Sequence, residues 1–86
     1  MKKKTSREDS GILRLQVVIE IDEDGKYVAS CPALQGCHAQ GDTFEEALRN
    51  VQDVIDMCIE ELKDEHRLTD LSYPEVVGIK TVEVSL

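Results

Sequence analysis

The sequence predicts an α+β fold with the element order β-β-β-α-β, in which an antiparallel-type sheet carries one amphipathic helix on one face. Three observations predict it: alternating apolar residues early in the chain, a long apolar stripe at helical spacing in the middle, and renewed alternation near residue 80. The 86 residues suit one small domain, which we place at residues 11–86 after a flexible basic tail at residues 1–10.

Three strands are predicted before the helix. Residues 12–21 form a β-rich run in which Leu13, Leu15, Val17, Ile19 and Ile21 make up a wholly apolar face, alternating with a mixed face. The next residues, Asp22-Glu23-Asp24-Gly25, combine turn formers with a glycine that tolerates positive φ, so a hairpin is expected there. The return strand is then expected at residues 26–31, and a short third strand at residues 37–40.

Two short motifs are predicted to shape the ends of these strands. Pro32 has no amide hydrogen and cannot continue a central strand, so residues 32–36, ending at Gly36, are expected to form a loop or a bulge. Gly41 and Asp42 end the sheet segment. Thr43, followed three residues later by Glu46, predicts a capping box at the start of a helix.

The helix prediction depends on an apolar stripe about 140° wide. Its members are Phe44, Ala47, Leu48, Val51, Val54, Ile55, Cys58, Ile59 and Leu62. This stripe is expected to pack on the sheet, whereas Met57 projects about 120° from its centre. After a turn-rich stretch at residues 67–74, residues 76–86 are predicted to form the fourth strand, with Val82, Val84 and Leu86 on one face.

Charge is distributed unevenly along the chain. The first eight residues carry a net charge of +3, whereas residues 9–86 hold 6 basic and 17 acidic side chains, which is an excess of 11 negative charges. Nucleic-acid affinity depends on Lys and Arg contacts with phosphates, so direct nucleic-acid binding is not expected and a basic protein partner is favoured. No apolar run approaches the roughly 18 residues that span a bilayer, so a cytoplasmic protein without membrane insertion is expected.

The three cysteines, Cys31, Cys37 and Cys58, show no CxxC spacing and leave at least one thiol unpaired. They are expected to be reduced, buried residues. The neighbours Cys37 and His38 supply too few ligands for zinc, and adjacent strand residues point to opposite faces, which disfavours a catalytic pair. No metal and no cofactor are expected.

Residues 17–48, VVIEIDEDGKYVASCPALQGCHAQGDTFEEAL, resemble the HicB family of antitoxins, and the resemblance extends over residues 17–61. It implies three strands, a helix and a further strand, similar to a truncated ribonuclease H core. It also implies that the chain covers the active site of HicA, a small basic RNA-cleaving toxin, without catalysis of its own. Many members carry a further DNA-binding segment after this core; the sequence to Leu86 has no room for one, so a short form without operator binding is expected.

Acidic surfaces are the expected toxin contacts. They comprise the hairpin residues Asp22, Glu23 and Asp24 and the helix residues Asp53, Asp56 and Glu60. Because one helix covers only one face of the sheet, a homodimer or higher homo-oligomer is also expected, with Ile12, Val18 and Met57 at its interface.

Two alternatives to the antitoxin function remain open from the sequence. The first is a ribonuclease H-like nuclease relic in which Glu20, Asp22 and Asp24 hold two magnesium ions. The second is a homo-oligomeric scaffold with an unrelated partner.

Overall fold

The computed structural model describes residues 11–86, and the basic tail predicted at residues 1–10 lies outside them. The described elements are three strands, β1 (Val18–Ile21), β2 (Tyr27–Ser30) and β3 (His38–Gly41), a helix α1 (Phe44–Asp64) and a 3-10 turn (Leu68–Asp70). The strands form one antiparallel sheet in the order β1-β2-β3. The predicted α+β class and the order of three strands followed by a helix are therefore confirmed.

The hairpin between β1 and β2 is closed by the side chain of Asp22. Its Oδ1 accepts the backbone N–H groups of Asp24 and Lys26, each at 2.9 Å. The backbone N–H of Gly25 donates to the carbonyl of Asp22 at 3.0 Å, and Gly25 adopts a φ of 84°. A residue with a Cβ adopts this left-handed conformation only with strain, which explains glycine at this position.

The loop after β2 folds inward and contributes to the core. Leu34 is only 6% exposed, and its backbone N–H donates to the carbonyl of Cys31 at 3.0 Å. Cys37 in turn donates to the carbonyl of Leu34, and Cys31 donates to the carbonyl of Cys37. These bonds pair the backbone N–H and C=O groups where Pro32 prevents a regular strand, so the loop packs closely over one end of the sheet.

The start of α1 is capped as the sequence predicts. The hydroxyl Oγ1 of Thr43 accepts the backbone N–H of Glu46 at 3.0 Å, and the carboxylate of Glu46 accepts the backbone N–H of Asp42. A capping box usually reaches back to the cap residue itself; here the glutamate bonds one residue earlier. The connection is tightened further because Lys26, at the start of the return strand, forms an ion pair with Asp42.

The core lies between α1 and the β2–β3 half of the sheet. Its buried members are Ala29, Cys31, Leu34, Cys37, Ala47 and Val51. The pairing of Ile19 with Ala29 and of Ala29 with Ala39 places these residues on the helix side, and the intervening residues Val18 and Val28 on the other side. The predicted helix stripe packs on this core from Ala47 to Leu62. Its first member, Phe44, is 49% exposed and lies outside the core.

The predicted fourth strand is not among the elements of residues 11–86. Residues 76–86 form no strand, and Val82, Val84 and Leu86 are at least 73% exposed. Alternation indicates that a segment suits a strand, but a strand forms only where another strand accepts its backbone hydrogen bonds. In this structure β1 pairs with β2 on one edge, and no strand of the described residues pairs with its other edge.

The first strand is shorter than predicted for a related reason. Regular pairing covers only Val18–Ile21, because β2 ends at Ser30 and the loop that follows offers no continuous ladder for residues 12–17. The third strand begins one residue later than predicted and ends at Gly41. Among residues 11–86, no helix combines the length and apolar character needed to cross a membrane.

Candidate functional site

The outer face of the second half of α1 carries a shallow acidic groove. It is wide open and nearly flat, and it is formed by five residues of this one helix, Asp56, Met57, Glu60, Glu61 and Asp64. All five side chains are exposed, and Met57 is 65% exposed. The spacing of three and four residues places them side by side on one helical surface, so four carboxylates surround one apolar side chain.

These carboxylates lie at the electrostatically unfavourable end of the helix. The carboxyl end of a helix carries the equivalent of about half a negative charge, which repels acidic side chains in the last turns by a few tenths of a kcal/mol each. Lys63 offsets this only in part, through an exposed contact at 3.5 Å between its Nζ and Oε2 of Glu60. A cation brought by a partner would therefore be attracted both by the side chains and by the helix end.

The acidic hairpin is a separate surface. Asp22 directs a carboxylate oxygen at two backbone N–H groups of the turn, which assigns this side chain to hairpin structure. Glu23 and Asp24 are exposed at the tip. The ion pair between Lys26 and Asp42 links the hairpin to the residues just before α1, about 20 Å along the helix axis from Asp56. The two predicted contact groups therefore do not form one patch.

Only two of the three predicted contact residues on the helix lie in the acidic groove. Asp56 and Glu60 line the groove, whereas Asp53 is exposed one turn earlier and does not line it. Glu61 and Asp64 were not among the residues predicted from the sequence. Their signal was present in the repeated spacing of four residues, from Asp56 to Glu60 to Asp64 and from Met57 to Glu61.

The three predicted interface residues lie on different sides of the molecule. Val18 is half-buried on the sheet face opposite the helix, and Ile12 is 56% exposed in the segment that precedes β1. Met57 lies on the outer face of α1, within the acidic groove. A single flat interface therefore cannot contain both Val18 and Met57.

The cysteines converge in the core. Cys31 and Cys37 are each 2% exposed, whereas Cys58, also predicted to be buried, is only partly buried and packs against the same cluster from α1. Burial raises the pKa of the Cys37 thiol to about 12, and burial likewise raises that of Cys31. Such thiols remain protonated near neutral pH and behave as small apolar residues.

The described residues contain no group of three or more His, Cys, Asp or Glu side chains arranged to hold a metal ion. In the alternative nuclease hypothesis, Asp22 was one of the metal ligands. Its Oδ1 instead accepts the two turn hydrogen bonds described above.

Comparison with known proteins adds the family to this geometry. A model of the HicB-like antitoxins of bacterial toxin–antitoxin systems matches residues 15–81. A UPF0150 protein of Synechocystis is 41% identical over 68 residues, which cover 79% of this chain and 90% of that protein. A second from Synechocystis is 50% identical over 56 residues, covering 65% of this chain and 71% of that protein. One from Archaeoglobus fulgidus is 35% identical over 72 residues, covering 84% and 96% of the two chains.

The family match spans β1 to β3, α1 and the residues that follow the helix, so it includes the acidic groove as well as the sheet. The relatives are matched over most of their own lengths. The chain therefore belongs to the HicB-like antitoxins of bacterial toxin–antitoxin systems.

Proposed function

We propose that this protein is a cytoplasmic antitoxin that masks a small, basic, RNA-cleaving toxin of the HicA type by direct protein contact and without catalysis. The antitoxin family supports a toxin partner and a non-catalytic role in general. The observation that carries the more specific proposal is the acidic groove, because it presents four carboxylates around an exposed apolar side chain.

Charge complementarity favours a partner that itself binds RNA. A protein that grips phosphates has a surface of Lys and Arg side chains, and the excess of negative charge in residues 9–86 attracts such a surface. Complementary charge chiefly accelerates encounter and selects the partner. A protein that covers this basic surface also competes with the RNA for it, which would suppress cleavage.

The groove also has the composition of an interface centre. Met57 is large, flexible and apolar, and methionine adapts its shape to a partner surface. The surrounding carboxylates can accept bidentate hydrogen bonds from arginine, which is the cation most enriched at protein interfaces. We assign toxin contact to Asp56, Met57, Glu60, Glu61 and Asp64, with Asp53, Glu23 and Asp24 in supporting electrostatic roles.

The remaining features fit an intracellular binding module. The three cysteines are free in the structure, which suits a reducing compartment such as the cytoplasm. Residues 11–86 contain the sheet, the helix and the core, and we treat them as one domain.

The proposal is tested by co-expressing the full chain with the small basic protein encoded by the neighbouring reading frame. Copurification and loss of RNA cleavage are the expected results. The double variant Glu60→Lys/Glu61→Lys should weaken binding at least about 100-fold, because it replaces attraction by repulsion at the centre of the contact.

The matched control is Glu23→Lys/Asp24→Lys, which changes the net charge by the same amount at the hairpin tip. It should weaken binding by less than about tenfold, through long-range charge alone. Equal loss in the two variants would contradict the groove assignment. A neighbouring basic protein that neither copurifies nor loses RNA-cleaving activity would contradict the proposed function.

A further inference from the structure

The segment of residues 77–86 is the most exposed apolar part of the described chain. Its aliphatic residues Val77, Ile79, Val82, Val84 and Leu86 are each at least 73% exposed. The side chains of Val82, Val84 and Leu86 share one face if the segment is extended, and Val77 and Ile79 share the other. We call residues 77–86 the donor segment.

The start of the donor segment is held beside the residues that enter β1. The side-chain amide of Gln16 donates from Nε2 to the carbonyl of Val76 at 2.9 Å and accepts the backbone N–H of Val76 through Oε1 at 2.7 Å. The hydroxyl of Tyr73 donates to the carbonyl of Arg14 at 3.1 Å. The Gln16 side chain thus bonds both backbone groups of Val76, as a neighbouring strand would. Beyond Val76 the segment forms no strand in the described structure.

The β1 side of the sheet is correspondingly incomplete. The helix packs mainly on β3 and β2 and least on β1. The apolar residues of the helix-side face here, Leu15, Val17 and Ile19, are only partly buried, and Ile21 is 61% exposed. A strand added at the β1 edge would place one row of its side chains beside this row, and β1 pairs with β2 alone among the described strands.

We propose that the donor segment of one copy adds to the β1 edge of a second copy, and the reverse, so that two chains form a symmetric dimer by strand exchange. The chain carries both halves of this contact, an exposed strand-forming segment and an open strand edge. A two-fold axis relates them, because each copy donates and accepts once. This proposal does not depend on the toxin-masking function.

Charge favours a second copy over the basic toxin as the occupant of this edge. The donor segment has one basic residue, Lys80, and one acidic residue, Glu83. Its net charge is therefore zero, and it does not attract a cationic surface. It is also the part of an otherwise strongly acidic protein that can approach another copy without charge repulsion. Val77 and Ile79 would then lie on the side of the partner sheet where Val18 is half-buried.

The extent of the contact suits a stable dimer. Two donor segments carry ten aliphatic side chains, which would lie along two apolar rows from Leu15 to Ile21, each about 23 Å long. This is on the scale of specific interfaces, which bury about 1,200–2,000 Å² in total. The β1 edge, Val18–Ile21, would at the same time supply partners for part of the backbone hydrogen-bonding groups of residues 77–86.

The test is the mass of the full chain in solution, measured by gel filtration with light scattering at micromolar concentrations. We expect about 19 kDa, twice the 9.6 kDa of one chain. The variant Val82→Lys/Val84→Lys should raise the dissociation constant of the dimer at least about 100-fold, while the circular dichroism of the sheet and helix is kept. The control Gln40→Lys/Gln52→Lys adds the same charge at exposed positions on β3 and α1, away from the β1 edge, and should remain dimeric.

Hydrogen exchange distinguishes exchange between copies from closure within one chain. In the dimer, the amides of residues 78–86 should be protected, and this protection should be lost on dilution to the monomer. A chain that is monomeric at all concentrations overturns the proposal. This holds also if the amides of residues 78–86 are protected in that monomer, because they would then pair with β1 of the same chain. A dimer that survives Val82→Lys/Val84→Lys also overturns it, because another surface must then hold the copies together.

Discussion

At the residue scale, Gly41 shows how closely β3 approaches the start of α1. A Cβ placed on Gly41 would lie 2.7 Å from the backbone nitrogen of Ala47 and 2.9 Å from the side chain of Glu46. The first contact is with helix backbone, which cannot move without disturbing the capped turn. Gly78, by contrast, has no atom within 4 Å of the corresponding position.

We therefore expect Gly41→Ala to lower the free energy of unfolding by about 1–3 kcal/mol, the usual cost of forcing extra volume into a packed site. The control Gly78→Ala should stay within about 0.5 kcal/mol of the parent chain. Urea unfolding followed by circular dichroism measures both values. Equal stability of the two variants would show that the strand and helix do not approach as described.

The thiol of Cys37 provides a second prediction at the residue scale. Its pKa is raised by burial from 9.0 to about 12, so the folded chain holds this proton more tightly than the unfolded chain. Between these two values the unfolded chain loses the proton first, and the free energy of unfolding should therefore fall as the pH rises from about 9 towards 12. The variant Cys37→Ala should show a shallower fall over the same range.

The same burial controls the chemical reactivity of this residue. Since thiolate is the reactive form, iodoacetamide at pH 8 should modify Cys37 at least about 100-fold more slowly in the folded chain than in urea. Mass spectrometry of the modified peptides measures this difference. Rapid modification of Cys37 in the folded chain would contradict its placement in the core.

At the element scale, α1 is defined by how it begins. The Thr43 hydroxyl accepts the N–H of Glu46, one of the backbone groups that a helix leaves unpaired at its start. The Glu46 carboxylate accepts the N–H of Asp42, which lies just before the cap. Further along, the side-chain amide of Asn50 donates to the carbonyl of Gln40 at 2.9 Å and ties the second turn of the helix to β3. The start of α1 is therefore held to the sheet, whereas its other end presents the acidic groove.

We expect Thr43→Ala to lower the free energy of unfolding by about 0.5–2 kcal/mol, since alanine cannot accept the bond from Glu46. Thr43→Ser keeps the hydroxyl and should retain nearly all of the stability. Thermal unfolding followed at the helical circular dichroism signal compares the three chains. If Thr43→Ser is as destabilised as Thr43→Ala, the capping bond is not the cause.

At the scale of the whole molecule, the net charge of −8 should attract a basic partner before the two proteins come into contact. Added salt screens long-range attraction, with a Debye length that falls from about 10 Å at 0.1 M to about 3 Å at 1 M. The association rate with the basic toxin should therefore fall at least about tenfold over this range, while the dissociation rate changes much less. Stopped-flow mixing at several salt concentrations measures both rates.

An association rate that does not respond to salt would indicate that the acidic surface has no part in partner encounter. The same measurement on the Glu60→Lys/Glu61→Lys variant separates the two contributions of the groove. Loss of long-range attraction lowers the association rate, whereas loss of direct contact raises the dissociation rate.

The sequence alone determined the features that depend on near neighbours in the chain. The hairpin at Gly25, the capped start of α1 at Thr43 and the apolar stripe from Ala47 to Leu62 were all predictable, because turns, caps and helical periodicity arise within a few residues. The resemblance of residues 17–61 to an antitoxin family was also visible there, and the match over residues 15–81 confirms it.

Only the tertiary structure decided what depends on distant partners. The pattern of Val82, Val84 and Leu86 predicted a strand, yet a strand needs another edge for its hydrogen bonds, and none is supplied to residues 77–86 within the described chain. The separation of the hairpin acids from Asp56 likewise follows from how α1 lies across the sheet, and so does the exposure of the helix face that carries Met57. Sequence spacing reports which residues can share a face of one element, whereas packing between elements determines which of those faces meet, are covered or remain open.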